Sequence, residues 1–260
     1  MAPIERGERM GKLTGKVAVV TGASKGIGAG IAKAFGREGA SVVVNYASDK
    51  AGAERVAKEI ESAGGKALVV GASVAKVSDI ETLFAEVKQH FGKIDVLVNN
   101  AGVFGPTPLE DLTEAEYDRQ FNTNVKGLLF TTKSALPLFG ESGGSVINIS
   151  SVVAKGTFPG ISVYGGTKGA VDTITGVLSK ELGAKKIRVN AINPGLIVTE
   201  GTDAAGYTGG NSEFEKMVLA GTPLGRLGQT SDVADVAVFL ASDDSRWVSG
   251  STLDVAGGNR

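Results

Sequence analysis

The chain has 260 residues, 42% of them hydrophobic and 21% charged, with a formal net charge of −1. Such a chain buries a sizeable core as one large domain, and its interspersed charges exclude a nucleic-acid surface or a lipid-binding basic block. It has no cysteine, which excludes disulfides, thiolate catalysis and cysteine-ligated metals.

In chain order, residues 1–14 read as a flexible polar tail and residues 15–260 as one domain. Val17–Val20 is a short apolar strand, followed at once by a glycine turn, Thr21 to Gly28, and a helix with Ile27, Ile31 and Phe35 on one side. Ser41–Val44 is a second strand and Glu54–Ser62 a second helix. Lys66–Val70 and Ile80–Phe91 repeat that pair, and Ile94–Val98 is a fourth strand ending in Asn99-Asn-Ala-Gly102. A helical stretch from Thr113 to Phe139 leads to a β-branched fifth strand, Val146–Ser150. A long helix follows, with Val163, Val171, Ile174, Leu178 and Leu182 at three- and four-residue steps. Ile187–Ile192 is a sixth strand, 196–223 a glycine-rich insert, Ser231–Ala241 the last helix and Thr252–Val255 the last strand. The alternation implies right-handed βαβ units. The expected fold is a single doubly wound Rossmann-type α/β domain, a parallel seven-stranded sheet with helices on both faces and ligands at the C-terminal strand ends. No signal core and no run near eighteen apolar residues is found, so the expected compartment is the cytoplasm.

The chemistry concentrates between Ser151 and Lys168. Tyr164 and Lys168 stand four apart, so a helix makes them neighbours on one face, with Ser151 close by at the end of the fifth strand. A phenol with a pKa of about 10 needs a shift of roughly 3 units, about 4 kcal/mol, to work near neutrality. An ammonium about 4 Å away, at an effective dielectric of about 20, supplies roughly that amount. The expected arrangement is a proton-transfer site with a lowered tyrosine pKa. The first strand end carries Gly22, Gly26 and Gly28, a strand–turn–helix that aims backbone N–H groups and the helix dipole at a pyrophosphate. Its spacing, G-x-x-x-G-x-G, departs from the common G-x-G-x-x-G fingerprint.

Three other patterns are set aside. Gly140 to Gly144 matches a G-x-S-x-G nucleophile elbow but precedes a strand, where the elbow needs a strand-to-helix turn. His90, the only histidine, lies upstream of it and is expected near the end of the third helix. Asn148-Ile-Ser150 matches a glycosylation acceptor but falls in an expected buried strand. No His/Asp/Glu cluster has metal-ligand spacing, so no metal is expected.

Together these residues resemble the short-chain dehydrogenase/reductase family. The resemblance spans Gly15 to Gly258 and rests on Thr21-Gly-x-x-x-Gly-Ile-Gly28, Asn99-Asn-Ala-Gly102, Asn124-Val-Lys-Gly127, Ser151, Tyr164-x-x-x-Lys168 and Asn193-Pro-Gly195. It implies that Tyr164 is the general acid, that Lys168 lowers its pKa and holds the nicotinamide ribose, that Ser151 hydrogen-bonds the carbonyl oxygen, and that Asn124 positions a water leading to solvent. It further implies cofactor contacts from Gly22, Ser24, Lys25, Gly26, Ile27 and Gly28; from Asn45, Tyr46, Ala47 and Ser48; from Ser73 and Val74; from Asn100, Ala101 and Gly102; and from Pro194, Gly195, Ile197 and Thr199.

Charge indicates which dinucleotide. A carboxylate directly after the second strand would favour NAD(H), but none occurs before Asp49, and Lys25 lies in the glycine turn. With Asn45 and Ser48 as donors, the expected cofactor is NADP(H), with NAD(H) as the alternative. Where the family usually has an aspartate after the third strand, this chain has Ser73. The insert at 196–223 reads as a lid over the nicotinamide, with Tyr207, Phe214 and Met217 either lining it or packing a short helix.

The expected activity is an NADPH-dependent carbonyl reductase or alcohol dehydrogenase acting on CH–OH groups of small molecules. A 3-oxoacyl-carrier-protein reductase or glucose 1-dehydrogenase is the alternative. A non-catalytic nucleotide sensor is disfavoured by the intact Ser151, Tyr164 and Lys168, and a sugar-nucleotide epimerase by the lack of length for a second domain. The tyrosine helix would offer a stripe of Thr173, Val177, Leu178 and Leu182 to a second copy, so a homotetramer is expected.

Overall fold

The computed structural model describes residues 11–209 and 212–259. In order these form β1 (Val17–Val20), α1 (Gly26–Arg37), β2 (Ser41–Tyr46), α2 (Lys50–Ser62), β3 (Lys66–Gly71), α3 (Val77–Phe91), β4 (Val96–Asn99), α4 (Glu114–Phe121), α5 (Gly127–Ala135) and β5 (Gly144–Ile149). Then come α6 (Ser162–Glu181), β6 (Ile187–Pro194), α7 (Glu200–Ala204), α8 (Glu213–Ala220), α9 (Thr230–Ala241) and β7 (Thr252–Val255). The sheet runs β3-β2-β1-β4-β5-β6-β7, with every neighbouring pair parallel. This is the expected Rossmann-type fold. The chain order reverses direction between β1 and β4, which opens a crevice at their carboxyl ends.

Successive strand residues feed opposite cores, as the two-residue period requires. Ala18, Val20, Val42, Val44, Val96 and Val98 pack with Ile31 and Phe35 of α1 and Val233 and Ala237 of α9. Val17, Val19, Val43 and Leu97 pack with Ile80, Leu83, Phe84 and Val87 of α3. Because both faces are covered, the strands read as continuous apolar runs rather than alternating ones.

Five expectations shift. Residues 1–10 of the expected tail lie outside the described residues, but Leu13 within it is fully buried and its N–H donates to the Glu38 carbonyl at 2.9 Å. The packed body therefore starts ahead of Gly15. β2 continues through Asn45 and Tyr46, whose ladder partners are Val70 and Gly71. The single helical stretch over 113–139 is divided, because Asn122–Lys126 adopts one π-helical turn between α4 and α5. The insert, read as a glycine-rich lid, contains two helices, α7 and α8, capped by Thr199 and Ser212. On α6, Leu182 is buried and Leu178 packs on the α3 side of the sheet, leaving Thr173 and Val177 of the expected intersubunit stripe exposed.

Candidate active site

The site forms where β4, β5 and β6 end. Ser151 lies two residues past the end of β5 and caps a short 3₁₀ turn through its Oγ, which accepts from the Val153 N–H at 3.3 Å. Tyr164 lies in the first turn of α6, and its phenol shares a hydrogen bond with the Ser151 side chain. One helical turn on, Lys168 is buried, with its Nζ 5.6 Å from the centre of the Tyr164 ring and donating to the Ile149 carbonyl at 2.9 Å. The structure thus brings Ser151, Tyr164 and Lys168 together.

The titration of this pair differs from the sequence expectation. Burial pushes the Tyr164 phenol up to about 12, and the Ser151 hydrogen bond only partly opposes it. Burial also pulls the Lys168 ammonium down to about 8, against the support of Asp172 a further turn along α6. Desolvation disfavours the charged form of each group and so moves an acid and a base in opposite directions. The ammonium lies over the ring and is spent on Ile149, not on the hydroxyl. Asp172 was missed from the sequence, although Tyr164, Lys168 and Asp172 follow one another at four-residue steps.

Asn124 sits in the π-helical turn, where an extra residue re-aims a side chain inward. Its Oδ1 accepts from the Val103 N–H at 2.8 Å, and its Nδ2 donates to the Val103 carbonyl at 2.8 Å and to Thr167 Oγ1 at 3.1 Å. A methyl group placed on Gly102 would stand 3.4 Å from Asn124 Oδ1 and 3.8 Å from Lys168 Nζ, so glycine keeps this corner open. A cavity of about 10 Å³ lies here, lined by Thr21, Asn99, Asn124, Thr131 and Lys168 among others. That is room for about one water molecule. Asn99 Oδ1 and Thr131 Oγ1 are buried on its wall without a protein partner.

The glycine turn fits a dinucleotide phosphate. Gly22 has a φ of +62°, and a Cβ on Gly28 would strike the Gly22 carbonyl and the Asn100 amide. The Gly26 N–H already serves an anion: it donates to Glu200 Oε2 at 3.0 Å, so that carboxylate oxygen stands where a phosphate oxygen would be bound. Asn100 shapes the turn from below, donating to the Thr21 and Gly22 carbonyls at 2.8 and 3.0 Å. Ala101 donates its N–H to Thr21 Oγ1 at 3.0 Å, behind the turn.

Several expected cofactor contacts are placed elsewhere. Asn45 is buried within β2, and its amide donates to the Val70 and Ala72 carbonyls at 3.1 and 3.0 Å while Oδ1 accepts from the Gly22 N–H at 3.3 Å. It holds the sheet to the glycine turn and has no donor left for a ribose phosphate. Tyr46 belongs to the same strand, with its hydroxyl against Gly71. Ala47, Ser48 and Lys25 are exposed at the crevice mouth, and Lys25 makes no ion pair among the described residues. Ser24 and Ile27 flank the turn part-buried, and Val74 packs its backbone against Gly127. Ser73 gives its N–H to Asp79 at 3.2 Å. Pro194 and Ile197 are buried, Gly195 is pinned to the Val255 carbonyl at 3.1 Å, and Thr199 caps α7 beside Gly26. In the insert Tyr207 and Phe214 face the site through ring contacts, while Met217 is 63% exposed and neither lines the site nor packs a core.

The set-aside patterns take structural roles. Gly140 to Gly143 make the turn into β5, His90 ends α3, and Asn148 is buried between Asn99 and Thr175. Among the described residues, no group of His, Asp and Glu could hold a metal ion, and no helix is long and apolar enough to cross a membrane.

A hydroxyl, a phenol and an ammonium at the carboxyl ends of a parallel sheet, beside a glycine turn built for anions, define a nicotinamide-dependent type of oxidoreductase site. A family model described as Enoyl-(Acyl carrier protein) reductase matches residues 22–260. The chain belongs to the short-chain dehydrogenase/reductase family, and it is an oxidoreductase. An "Uncharacterized oxidoreductase" of Methylorubrum extorquens is 55% identical over 251 residues, covering 96% of this chain and 100% of the relative. A 7α-hydroxysteroid dehydrogenase complexed with NADH and 7-oxo glycochenodeoxycholic acid superposes with a TM-score of 0.91 at 35% identity, covering 95% of each chain. An angucycline C-6 ketoreductase with bound NADP superposes at 0.89 with 36% identity, covering 96% of this chain and 98% of that one.

The buried ammonium leaves a signature in stability. Between pH 8 and 10 the unfolded chain keeps a proton on Lys168 that the folded chain releases, so stability rises with pH, by roughly 2 kcal/mol over that interval. Urea unfolding at both pH values should show this rise in the native chain and lack it in Lys168→Met. Equal rises in the two would contradict a desolvated Lys168.

Proposed function

We propose that this protein is an NADPH-dependent ketone reductase, reversible as an alcohol dehydrogenase, working on small-molecule carbonyls. The observation that carries this is a phenol kept protonated by burial, hydrogen-bonded to Ser151 and one helical turn from a buried ammonium. A bound nicotinamide dinucleotide would supply and accept the hydride. Residues of the glycine turn (Gly22, Ser24, Lys25, Gly26, Ile27, Gly28), with Ala47, Ser48, Val74, Ala101, Gly102 and the Pro194–Thr199 segment, would hold it.

In reduction, the Ser151 hydroxyl and the Tyr164 phenol donate to the substrate carbonyl oxygen. As negative charge gathers there, Tyr164 passes its proton across. The phenolate left behind faces Lys168, whose charge then gains an anionic neighbour besides Asp172. A water in the cavity between Asn124 and Lys168 would bring the replacement proton. Because the phenol titrates near 12 and Lys168 near 8, reduction is fast through neutrality and declines above about pH 8 as the ammonium is lost, while alcohol oxidation gains with pH.

NADP(H) is favoured over NAD(H) by two placements. Lys25 is exposed at the crevice mouth, and Asp49, the carboxylate that could have taken a ribose hydroxyl, caps α2 by accepting from the Gly52 N–H at 2.9 Å. The assembly proposed is a homotetramer. The exposed Thr173 and Val177 on α6, and the single tryptophan, Trp247, 98% exposed just before β7, are apolar surface that a second copy would cover.

Three measurements test this reading. Tyr164→Phe should lose about 10²- to 10⁴-fold in kcat for ketone reduction while still folding and quenching NADPH fluorescence; an undiminished rate overturns the mechanism. Lys25→Ala should raise KM for NADPH about tenfold relative to NADH, as the loss of one charge-assisted phosphate contact implies; an unchanged ratio removes Lys25 from the phosphate site. Light scattering should give about four times the 26.5 kDa chain mass; a monomer refutes the tetramer.

A further inference from the structure

We propose that the substrate is an apolar, ring-bearing ketone, held beside Tyr164 by an aromatic wall of Phe104, Tyr207, Phe214 and Phe158; the proposal rests on the ketone-reductase reading above. The four rings form an unbroken series starting at the catalytic phenol. Phe104 meets the Tyr164 ring edge-on at 5.7 Å between centroids. Tyr207 meets Phe104 at 5.4 Å, Phe214 meets Tyr207 at 5.2 Å, and Phe158 stands 6.3 Å from Phe214.

These rings are not core. None belongs to either hydrophobic cluster, and Phe104 and Phe158 are 41% and 46% exposed although phenylalanine is usually buried. They come from three separate segments: the loop after β4, the loop before α6, and the insert. The first two segments are fixed. Arg119, paired with Glu116 at 2.7 Å, donates to the Phe104 carbonyl at 3.1 Å, and Gln120 donates to the Gly105 carbonyl at 3.0 Å. The Thr107 N–H donates to the Gly160 carbonyl at 2.7 Å, tying the Phe104 loop to the Phe158 loop. A rigid aromatic pair is therefore presented before the insert adds its own two rings.

Most polar groups around the wall are already used. The only cationic side chains in residues 101–108, 152–161 and 196–223 are Lys155 and Lys216, paired with Asp254 at 3.0 Å and Glu213 at 2.8 Å. A phosphopantetheine or carboxylate group would find no unpaired cation there. Thr199 and Thr202 cap α7, Thr208 hydrogen-bonds Thr202 and Asp203, and Ser212 caps α8. A polyhydroxylated sugar needs convergent donors and acceptors, and these hydroxyls serve the insert's own backbone and side chains. What stays open to a ligand is ring surface. Rings meeting edge to face leave π faces free, which a further ring or an apolar polycycle can cover.

The test compares initial rates with NADPH on 1-tetralone, 2-butanone, an acetoacetyl thioester and glucose, in the native chain, Phe104→Leu and Phe214→Leu. The native kcat/KM for 1-tetralone should exceed that for 2-butanone at least about hundredfold, and each variant should cut this ratio about tenfold through KM. Preference for the thioester or the sugar, or a ratio indifferent to both variants, overturns the aromatic-wall proposal while the reductase reading survives. Failure to reduce any carbonyl with either NADPH or NADH overturns both.

Discussion

One constraint organises the site: two titratable side chains, Lys168 buried and Tyr164 half-buried, are held side by side where desolvation acts on both. Enclosure makes the phenol a weaker acid and the ammonium a stronger one, so at neutral pH the phenol is held firmly neutral and the pair's one charge sits on Lys168. That single charge is tolerated because Ile149 offers its carbonyl and Asp172 stands a turn away. The strong attraction between phenolate and ammonium is withheld until the proton leaves Tyr164. An interaction that appears only as the reaction proceeds lowers the barrier, whereas one present from the start would only have stabilised the resting state.

The surrounding fold keeps this pair in register. Asn99 at the end of β4 donates to Asn148 of β5 at 2.9 Å and to Thr132 of α5 at 3.0 Å, and Asn148 donates to Thr175 of α6 at 2.9 Å. This buried polar chain crosses two strands and two helices and locks α6 against the sheet. Asn99 Oδ1 alone stays without a protein partner, at the small cavity, and the remaining bonds specify one arrangement where apolar packing alone would allow sliding. Asn148 therefore belongs to the scaffold of the site, in a motif that on paper looked like a glycan acceptor.

The alternation of apolar runs and helical periods was enough to place the seven strands along the chain, because burial on both faces leaves a continuous β-branched signature. Tyr164, Lys168 and Ser151 were legible for a related reason: helix spacing and a strand end dictate their proximity. What could not be read was competition for hydrogen bonds. Asn45 looked like a phosphate donor while its strand was thought to stop at Val44; two more ladder residues bury it and commit its amide to β3. The lowered tyrosine pKa failed likewise, since a one-dimensional spacing fixes distance but not desolvation. Phe104 and Phe158 were missed because an aromatic in a loop carries no period.

The contact between Gly26 and Glu200 joins the two halves of the site. The Gly26 amide opens α1, and the carboxylate that uses it begins the first helix of the insert. A phosphate oxygen and Glu200 cannot both accept from that one N–H, and two anions there would repel. Thr199, the cap of α7, stands at the same place, its side chain 3.5 Å from where a Gly26 Cβ would be. The same insert carries Tyr207 and Phe214 into the ring series that starts at Tyr164, so the glycine turn and the ring packing contact one segment at different points.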